Sequence, residues 1–416
     1  MKIGFLGISH LSINHGAAFL EKGFDVIFFD QDPNLVKALN ACSLDYSEPG
    51  LLDTLKKNRD RFDSSYSSGC LSECDLLYVA RDVSTNDQGK SDLTGTFELF
   101  EIAKKSAHAS ASIVILCQVP PGFCRELDFP KDRLFYQVET LIFGQALDRA
   151  LCPERYIVGL SDPHQNIDPA LKKILESFDC PIIKMRYESA ELAKISINLF
   201  LISSVSTTNT IADICEKVGA DWFEIKESLQ LDKRIGKHAY LNPGLGLSGG
   251  NLERDLATAL NLSYEHGSQG TMVQAWISDS SYRKSWVLKT LHQKIFPKNP
   301  HPKIGILGIA YKPNTSSTKN SPSLLLMECL KEYDVCAFDP VVKKCPIGSV
   351  KITNTIEQVL ECDVLIIMTP WEEFKSIDYK ALGHVRVLID PFNFLSLESL
   401  EKSGLPLKYH CIGRNY

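Results

Sequence analysis

Residues 2–7 read KIGFLG, and residues 303–308 read KIGILG. Each stretch is a short apolar run ending in glycine, which is typical of a buried parallel strand and the tight turn that follows it. A second apolar run ending in aspartate follows each copy, at residues 26–30 and 335–339. This is the strand–helix–strand layout of a mononucleotide-binding half, and the sequence contains it twice.

Strand and helix patterns continue to alternate after each copy, for example at residues 75–80, 112–116 and 363–368. This alternation predicts an α/β protein with two doubly wound, Rossmann-like domains. Residues 189–231 contain no proline and carry apolar residues at helical spacing, which predicts a long helix and a second one that join the two domains. We therefore predict three domains, at residues 1–185, 186–297 and 298–416.

The composition is that of a soluble globular protein. The chain has 416 residues, of which 44% are hydrophobic and 23% charged, and its formal net charge is −6. An acidic chain is a poor candidate for broad nucleic-acid binding. The 13 cysteines are spread out, and Cys70 and Cys74 have no histidine at zinc spacing. We therefore expect reduced thiols in a cytoplasmic protein, no metal site, no signal peptide and no membrane span.

The first turn departs from the Gly-x-Gly-x-x-Gly pattern of dinucleotide sites. It retains Gly7 but has Ser9 and Ser12 at the other two glycine positions. A serine hydroxyl could bond a phosphate, yet serine adds bulk where a backbone must approach closely. Asp30, at the end of the second run, suits the ribose hydroxyls of NAD. Both a weakened NAD site and a plain structural turn are compatible with this pattern; the candidate cofactor residues are Gly7, Ser9, His10, Leu11, Ser12 and Asp30.

The middle of the chain is more specific. Residues 189–194 read SAELAK, with Asn198 and Asn209 further along, and residues 242–255 read NPGLGLSGGNLERD. With EPGL at 48–51, VPPG at 119–122 and KPNT at 312–315, these motifs resemble the UDP-glucose/GDP-mannose dehydrogenase family. The resemblance covers essentially the whole chain and ends at the IGR of residues 412–414.

The resemblance implies an NAD-binding domain at 1–185, a central helical domain for dimerisation at 186–297 and a nucleotide-sugar domain at 298–416. Members of the family oxidise the C6 alcohol of a nucleotide sugar to a carboxylate with two NAD, by way of a cysteine thioester. We expect a homodimer that binds a UDP-sugar rather than a GDP-sugar, because UDP-sugar members are commoner. The expected pathway is nucleotide-sugar supply for a surface polysaccharide.

The family's site residues carry over by motif. Lys194 matches the lysine that stabilises the oxyanion, Asp255 the aspartate that works with it and with water, and Glu139 a glutamate of the Pro-Glu-Phe-Leu segment. Asn198 matches the asparagine that holds the sugar. The glycine loop, residues 242–250, matches the loop that wraps the sugar diphosphate. The candidate substrate residues are Asn198, Arg234, Asn242, Gly244, Gly246, Gly249, Gly250, Lys312 and Lys319.

Several chemical positions depart from the family pattern. Asn251 stands where the nucleophilic cysteine belongs, and an amide cannot form the thioester. Gln118 replaces the threonine that helps to bind cofactor and water, and Phe143 replaces a second glutamate. In the last domain, Lys319 ends an altered Asp-Asp-x-Arg motif and Phe392 replaces an arginine.

These departures leave two classes of function open. The first is an NAD-dependent nucleotide-sugar oxidoreductase with altered or two-electron chemistry, or a transient-redox isomerase or epimerase. The second is a catalytically inactive homologue that binds NAD or a nucleotide sugar as a sensor or partner. Lys194, Asn198 and Asp255 favour the enzyme, because an inert scaffold has no chemical need for all three; the degraded glycine pattern favours the binder.

Overall fold

The computed structural model describes residues 1–44, 48–84, 91–377, 382, 384–395, 400, 404 and 406–415. Contacts divide the chain into two compact units, Met1–Ile197 and Asn198–Tyr416. The single boundary between these units lies within a long helix. The sequence predicted three domains, at 1–185, 186–297 and 298–416. Those three boundaries stay a prediction.

The first unit is built on a sheet of eight strands. They are β1 Lys2–Leu6, β2 Asp25–Phe29, β3 Phe62–Ser65, β4 Leu76–Val79, β5 Ser112–Ile115, β6 Leu134–Gln137, β7 Tyr156–Leu160 and β8 Ile182–Arg186. Their spatial order is β3-β2-β1-β4-β5-β6-β7-β8, and β7 runs antiparallel to β6. The first six strands thus have the doubly wound order of a dinucleotide-binding domain, with the reversal between β1 and β4.

Helices cover both faces of this sheet. They are α1 His10–Glu21, α2 Pro33–Asn40, α3 Leu51–Lys57, α4 Thr94–Ser106, α5 Phe123–Glu126, α6 Ala146–Leu151 and α7 Pro169–Glu176, with short 3₁₀ turns at Arg59–Arg61 and Ser68–Glu73. Alternate strand residues enter two separate cores: Phe5 and Tyr78 lie in one, Leu6 and Leu77 in the other. A sheet buried on both faces explains why its strands read as continuous apolar runs.

The predicted central helices are present as α8, Tyr187–Val218, and α9, Trp222–Leu231. By length and composition alone, α8 could cross a membrane, although the lengths of the apolar runs in the sequence predicted no spanning segment. One such helix is weak evidence for a membrane span, because core helices of soluble proteins meet the same criterion. Seen along its axis, α8 carries Lys194 and Asn198 one turn apart and therefore on one face.

The second unit repeats the architecture of the first. Its helices after α9 are α10 Asn251–Glu265, α11 Thr271–Lys284, α12 Trp286–Thr290, α13 Pro322–Cys329 and α14 Glu357–Leu360, with a π-turn at Leu291–Ile295 and a 3₁₀ turn at Glu372–Ser376. Its strands are β9 Ile304–Leu307, β10 Val335–Phe338, β11 Lys351–Ile352, β12 Val364–Ile367, β13 Val387–Ile389 and β14 Lys408–His410. The order β11-β10-β9-β12-β13-β14 repeats that of the first six strands, so the predicted fold class is confirmed.

The repeated sequence is also a repeated turn. Gly7 has φ +98° and donates its N–H to Phe29 O at 2.8 Å; Gly308 has φ +97° and donates to Phe338 O at 2.8 Å. A Cβ at Gly7 would lie 2.9 Å from Ala80 O, and one at Gly308 would lie 2.4 Å from Thr369 Cβ. Both the positive φ and the close neighbouring strand therefore require glycine at these positions.

We predict that Gly308→Ala lowers the free energy of unfolding of the second unit by about 2–4 kcal/mol, because the new methyl group meets Thr369 at a positive φ. Urea titration followed by tryptophan fluorescence measures this, since Trp222, Trp276, Trp286 and Trp371 all lie in the second unit. Gly348→Ala is the control: no atom lies within 4 Å of a Cβ there, so the change stays within about 1 kcal/mol. Equal effects of both substitutions would contradict the steric argument.

Candidate functional site

The first turn keeps its shape through its two serines. Ser9 caps α1 in an extended conformation, with φ −124° and ψ 167°, which does not require glycine. Its Oγ accepts the N–H of Ser12 at 3.2 Å and donates to Ala80 O at 3.0 Å. The hydroxyl of Ser12 in turn accepts the N–H of Ser9 at 2.9 Å and donates to Ser9 O at 3.0 Å. Both hydroxyls thus close the turn, whereas the sequence suggested that they could bond a phosphate.

His10 and Leu11 direct their side chains into the first unit. The Leu11 side chain lies in the core, and His10 is buried with Nε2 2.7 Å from Glu48 Oε1. The His10 ring also lies 4.3 Å from the Phe143 ring, centroid to centroid. Any contact of these two residues with a phosphate at the start of α1 would therefore come from the backbone.

Asp30 follows β2 and lies half-buried. One carboxylate oxygen accepts the N–H of Ile8 at 2.7 Å, and the other accepts the N–H of Asp32 at 2.9 Å. The next residue, Gln31, lines an open groove of about 570 Å³ together with one side of α4, namely Thr94, Phe97, Glu98, Glu101, Ile102 and Lys105. A glycine turn, the N-terminus of α1 and the Asp30 carboxylate at the carboxyl edge of the sheet fit NAD.

Two of the predicted catalytic residues lie in contact at the carboxyl edge of the first sheet. Lys194 Nζ lies 2.7 Å from Glu139 Oε1, and both side chains are largely buried. The N–H of Leu141 donates to the second Glu139 oxygen at 3.0 Å. Burial alone would raise the pKa of Glu139, but the Lys194 ammonium and these hydrogen bonds hold that pKa below its usual value. Glu139 is therefore a carboxylate near neutral pH.

Three nearby groups had not been assigned a role from the sequence. His15 is buried, neither of its ring nitrogens has a described hydrogen-bond partner, and burial lowers its pKa to about 4, so it is neutral at pH 7. Glu48 accepts the N–H of Gly144 at 2.7 Å as well as its bond to His10. Glu191 accepts the N–H of Gly122 at 2.6 Å. Of the three, only Glu48 and Glu191 could have been singled out from the sequence, because both belong to motifs on which the family resemblance rests.

Gln118 follows β5, next to Cys117, and is half-buried. The sulfur of Cys117 accepts the N–H of Arg81 at 3.1 Å and donates to Val79 O at 3.3 Å. Burial raises the pKa of Cys117 to about 11, so this thiol stays protonated and does not act as a nucleophile. Among the described residues, no group of three or more histidine, cysteine, aspartate or glutamate side chains could hold a metal ion.

In the second unit, the predicted Asn198 and Asp255 also meet. Asp255 is fully buried, and its carboxylate accepts from the Asn198 amide and, at 3.2 Å, from Arg254 Nε. Asn251 is exposed and begins α10. A thiol at that helix terminus would be favoured as a thiolate, whereas the Asn251 amide is not nucleophilic.

The glycine loop is shaped by neighbouring protein atoms. Gly246 has φ +75°, and a Cβ there would lie 2.6 Å from Ser280 O. A Cβ at Gly249 would lie 2.7 Å from the Tyr311 ring, and one at Gly250 would lie 3.5 Å from Lys319 Cδ. The sequence attributed these glycines to close approach of a ligand; the structure shows that close packing of the chain already requires Gly246 and Gly249.

The remaining predicted substrate residues lie around this loop or on the surface. Asn242 accepts from Lys226 Nζ at 2.6 Å, and Gly244 donates its N–H to Asn209 Oδ1 at 2.9 Å. Lys312 follows Tyr311 in the segment after β9, with its Nζ 5.8 Å from that ring. Arg234 is exposed and pairs with Asp232 in its own turn.

Two doubly wound sheets, with a lysine–glutamate pair at the carboxyl edge of the first, fit a dinucleotide-dependent dehydrogenase. The chain belongs to the UDP-glucose/GDP-mannose dehydrogenase family, whose NAD binding domain matches residues 1–179, central domain residues 188–279 and UDP binding domain residues 305–396. It is therefore an NAD-dependent oxidoreductase of the nucleotide-sugar dehydrogenase class.

Individual relatives are distant but cover the whole chain. The chain is 28% identical over 422 residues to the putative UDP-glucose 6-dehydrogenase YtcA of Bacillus subtilis, covering 97% of this chain and 98% of that protein. It is 28% identical to the UDP-glucose 6-dehydrogenase TuaD of the same organism, covering 99% and 93%. A UDP-glucose dehydrogenase structure from Pyrobaculum islandicum shares the fold, with a TM-score of 0.86, 22% identity and coverage of 98% and 96%.

We predict that the stabilising effect of the Lys194–Glu139 pair disappears in acid. A lowered carboxyl pKa adds stability above the unfolded-state value of about 4.3, and that stability is lost as the pH falls through the folded-state pKa. Glu139→Gln should therefore destabilise the protein at pH 7 but differ less from the natural protein at about pH 3.5.

Chemical denaturation at both pH values measures this difference. The exposed Glu126 provides the control, since Glu126→Gln at the end of α5 alters no described ion pair. A difference between Glu139→Gln and the natural protein that stays the same at both pH values would contradict the ion-pair assignment.

Proposed function

We propose that this protein oxidises the C6 primary alcohol of a UDP-sugar, with UDP-glucose the leading candidate, and releases the aldehyde after one two-electron step. The observation that carries the proposal is the combination of two retained pairs, Lys194–Glu139 and Asn198–Asp255, with an amide at Asn251. The family's UDP binding domain and the UDP-glucose 6-dehydrogenase names of the Bacillus relatives support the choice of nucleotide.

The residues suit the first oxidation. Bound NAD supplies the acceptor for the hydride that leaves C6. Lys194, positioned by its contact with Glu139, donates a hydrogen bond to the alcohol oxygen as negative charge develops there. Asn198 orients the sugar from one turn further along α8, and Asp255 accepts the alcohol proton through a water molecule.

The same residues do not supply the second oxidation. An aldehyde carbon gives up a hydride only after a nucleophile has added to it and made it tetrahedral. Asn251 has no such nucleophile, and Cys117 is buried and protonated in the first unit. A thiol-free route would need water to add unaided, at a cost in rate of several powers of ten.

We predict that Asn251→Cys restores the second step. The natural protein should form about one NADH per UDP-glucose and an aldehyde or its hydrate, whereas Asn251→Cys should form about two NADH and the uronate. Absorbance at the NADH band and mass spectrometry of the sugar give the two readouts. Asn251→Ser is the matched control, because it is small and polar but lacks the thiol.

The outcomes separate the alternatives. Two NADH per sugar from the natural protein would contradict the two-electron proposal. An isomerised sugar of unchanged mass without NADH would indicate transient oxidation. An unchanged sugar without NADH would indicate a binding protein, which the internally bonded hydroxyls of Ser9 and Ser12 favour.

We further propose that the protein is a cytoplasmic homodimer that associates through α8. Phe200, Ile214 and Val218 are 79%, 50% and 69% exposed, and helical geometry places the three on one face of α8. Such a face is typical of a surface that is covered in an assembly. All 13 cysteines lie among the described residues and are free thiols, which suits a reducing compartment.

We predict that Phe200→Glu converts the dimer into a monomer, because a carboxylate would have to be desolvated in the apolar contact. Size-exclusion chromatography with light scattering measures the mass. Tyr66→Glu is the control, since Tyr66 is 66% exposed but does not belong to α8. A monomeric natural protein, or an unchanged mass for Phe200→Glu, would rule out this interface.

A further inference from the structure

Two loops of the second unit are bonded to one another. One is the glycine loop, residues 242–250; the other is residues 309–320, here called the 309–320 loop, which follows β9. Ser248 Oγ donates to Tyr311 O at 3.4 Å, and the N–H of Gly249 donates to Lys319 O at 3.2 Å. Lys319 also lies along Gly250, so the positions of its backbone and side chain both depend on this contact.

A single carboxylate joins these loops to two helices. Glu253, in the first turn of α10, accepts from Lys284 Nζ at 2.6 Å with one oxygen. Its other oxygen accepts from the side-chain amide of Asn320, the last residue of the 309–320 loop. That same amide also donates to Gly249 O at 3.4 Å. Glu253 therefore connects α10, α11 and the 309–320 loop.

The surroundings of Glu253 strengthen its contacts with Lys284 and Asn320. The Glu253 and Lys284 side chains are only 27% and 14% exposed, so their attraction is less screened than that of a surface pair. α11 is itself bonded to the glycine loop, because Ser280 Oγ accepts the N–H of Leu247 at 2.9 Å. Asn320 has φ +54°, a conformation that asparagine tolerates better than most residues.

We propose that Glu253 is a positioning residue for nucleotide-sugar binding: through Asn320 it fixes the 309–320 loop, with Lys312 and Lys319, against the glycine loop. This inference rests on the proposed function and on the family resemblance, which assigns the glycine loop, Lys312 and Lys319 to the nucleotide sugar. Glu253 acts through Lys284 and Asn320, which its two oxygens bind, and we assign it no contact with the sugar. Its charge acts by holding the backbone that presents the two lysines.

The test uses UDP as the probe and the full-length protein. Glu253→Gln keeps the side-chain shape but removes the charge that Lys284 meets, and Lys284→Met removes the partner without touching either loop. Each should weaken UDP binding about tenfold by calorimetry. Each should also speed amide hydrogen exchange in residues 309–320, while exchange in the β9 core stays slow.

The control is Glu265→Gln, at the exposed end of the same helix, which should match the natural protein in both measurements. In steady-state assays, Glu253→Gln should raise KM for the UDP-sugar by a similar factor and leave kcat within about twofold. A role limited to folding would lower the unfolding temperature without this selective change in KM.

Unchanged UDP binding and unchanged exchange in Glu253→Gln and Lys284→Met would overturn the inference, as would a natural protein that does not bind UDP. Failure of the proposed function is distinguishable from this. If no NADH forms but UDP binds and the Glu253→Gln loss is seen, the oxidation is wrong and the positioning role of Glu253 stands.

Discussion

The structure depends on one steric constraint, met twice: where the first strand of each sheet turns into the segment that follows, the chain passes too close to the neighbouring strand to carry a side chain. Gly7 meets Ala80 and Gly308 meets Thr369 in this way. The aspartate at the end of the second strand then accepts the N–H that follows each turn, from Ile8 to Asp30 and from Ile309 to Asp339. The same strand order, glycine turn and aspartate therefore occur together as one structural motif in both sheets.

The two copies differ in how far protein donors occupy the hydrogen-bond acceptor sites of this carboxylate. Asp339 is buried and accepts from the N–H groups of Ile309, Ala310, Val341 and Val342 and from the Trp371 indole. Asp30 is only half-buried. A carboxylate saturated by protein donors has little capacity left for ribose hydroxyls. The same fold can therefore serve a dinucleotide in the first unit and a different ligand in the second, as the family's NAD and UDP binding domains do.

Local sequence patterns predicted the fold well, because strands and helices impose a characteristic spacing of apolar residues and turns favour glycine within a few positions. The two KIG stretches and the proline-free run at 189–231 gave both sheets and both central helices. The family resemblance named Lys194, Glu139, Asn198 and Asp255 one by one. It did not predict that Lys194 pairs with Glu139 and Asn198 with Asp255, because 55 and 57 residues separate the partners. The Ser9–Ser12 bonds and the role of Glu253 were not predicted, because they depend on backbone geometry and on partners 31 and 67 residues away.

The amide at Asn251 also changes the susceptibility of the protein to oxidation. A cysteine at the start of a helix is the kind of thiol that peroxides and alkylating agents modify first. Asn251 removes that target, while burial raises the pKa of Cys117 to about 11 and those of Cys74, Cys362 and Cys411 to about 12. The site that makes thiol-dependent dehydrogenases sensitive to oxidative stress is chemically silent in this chain.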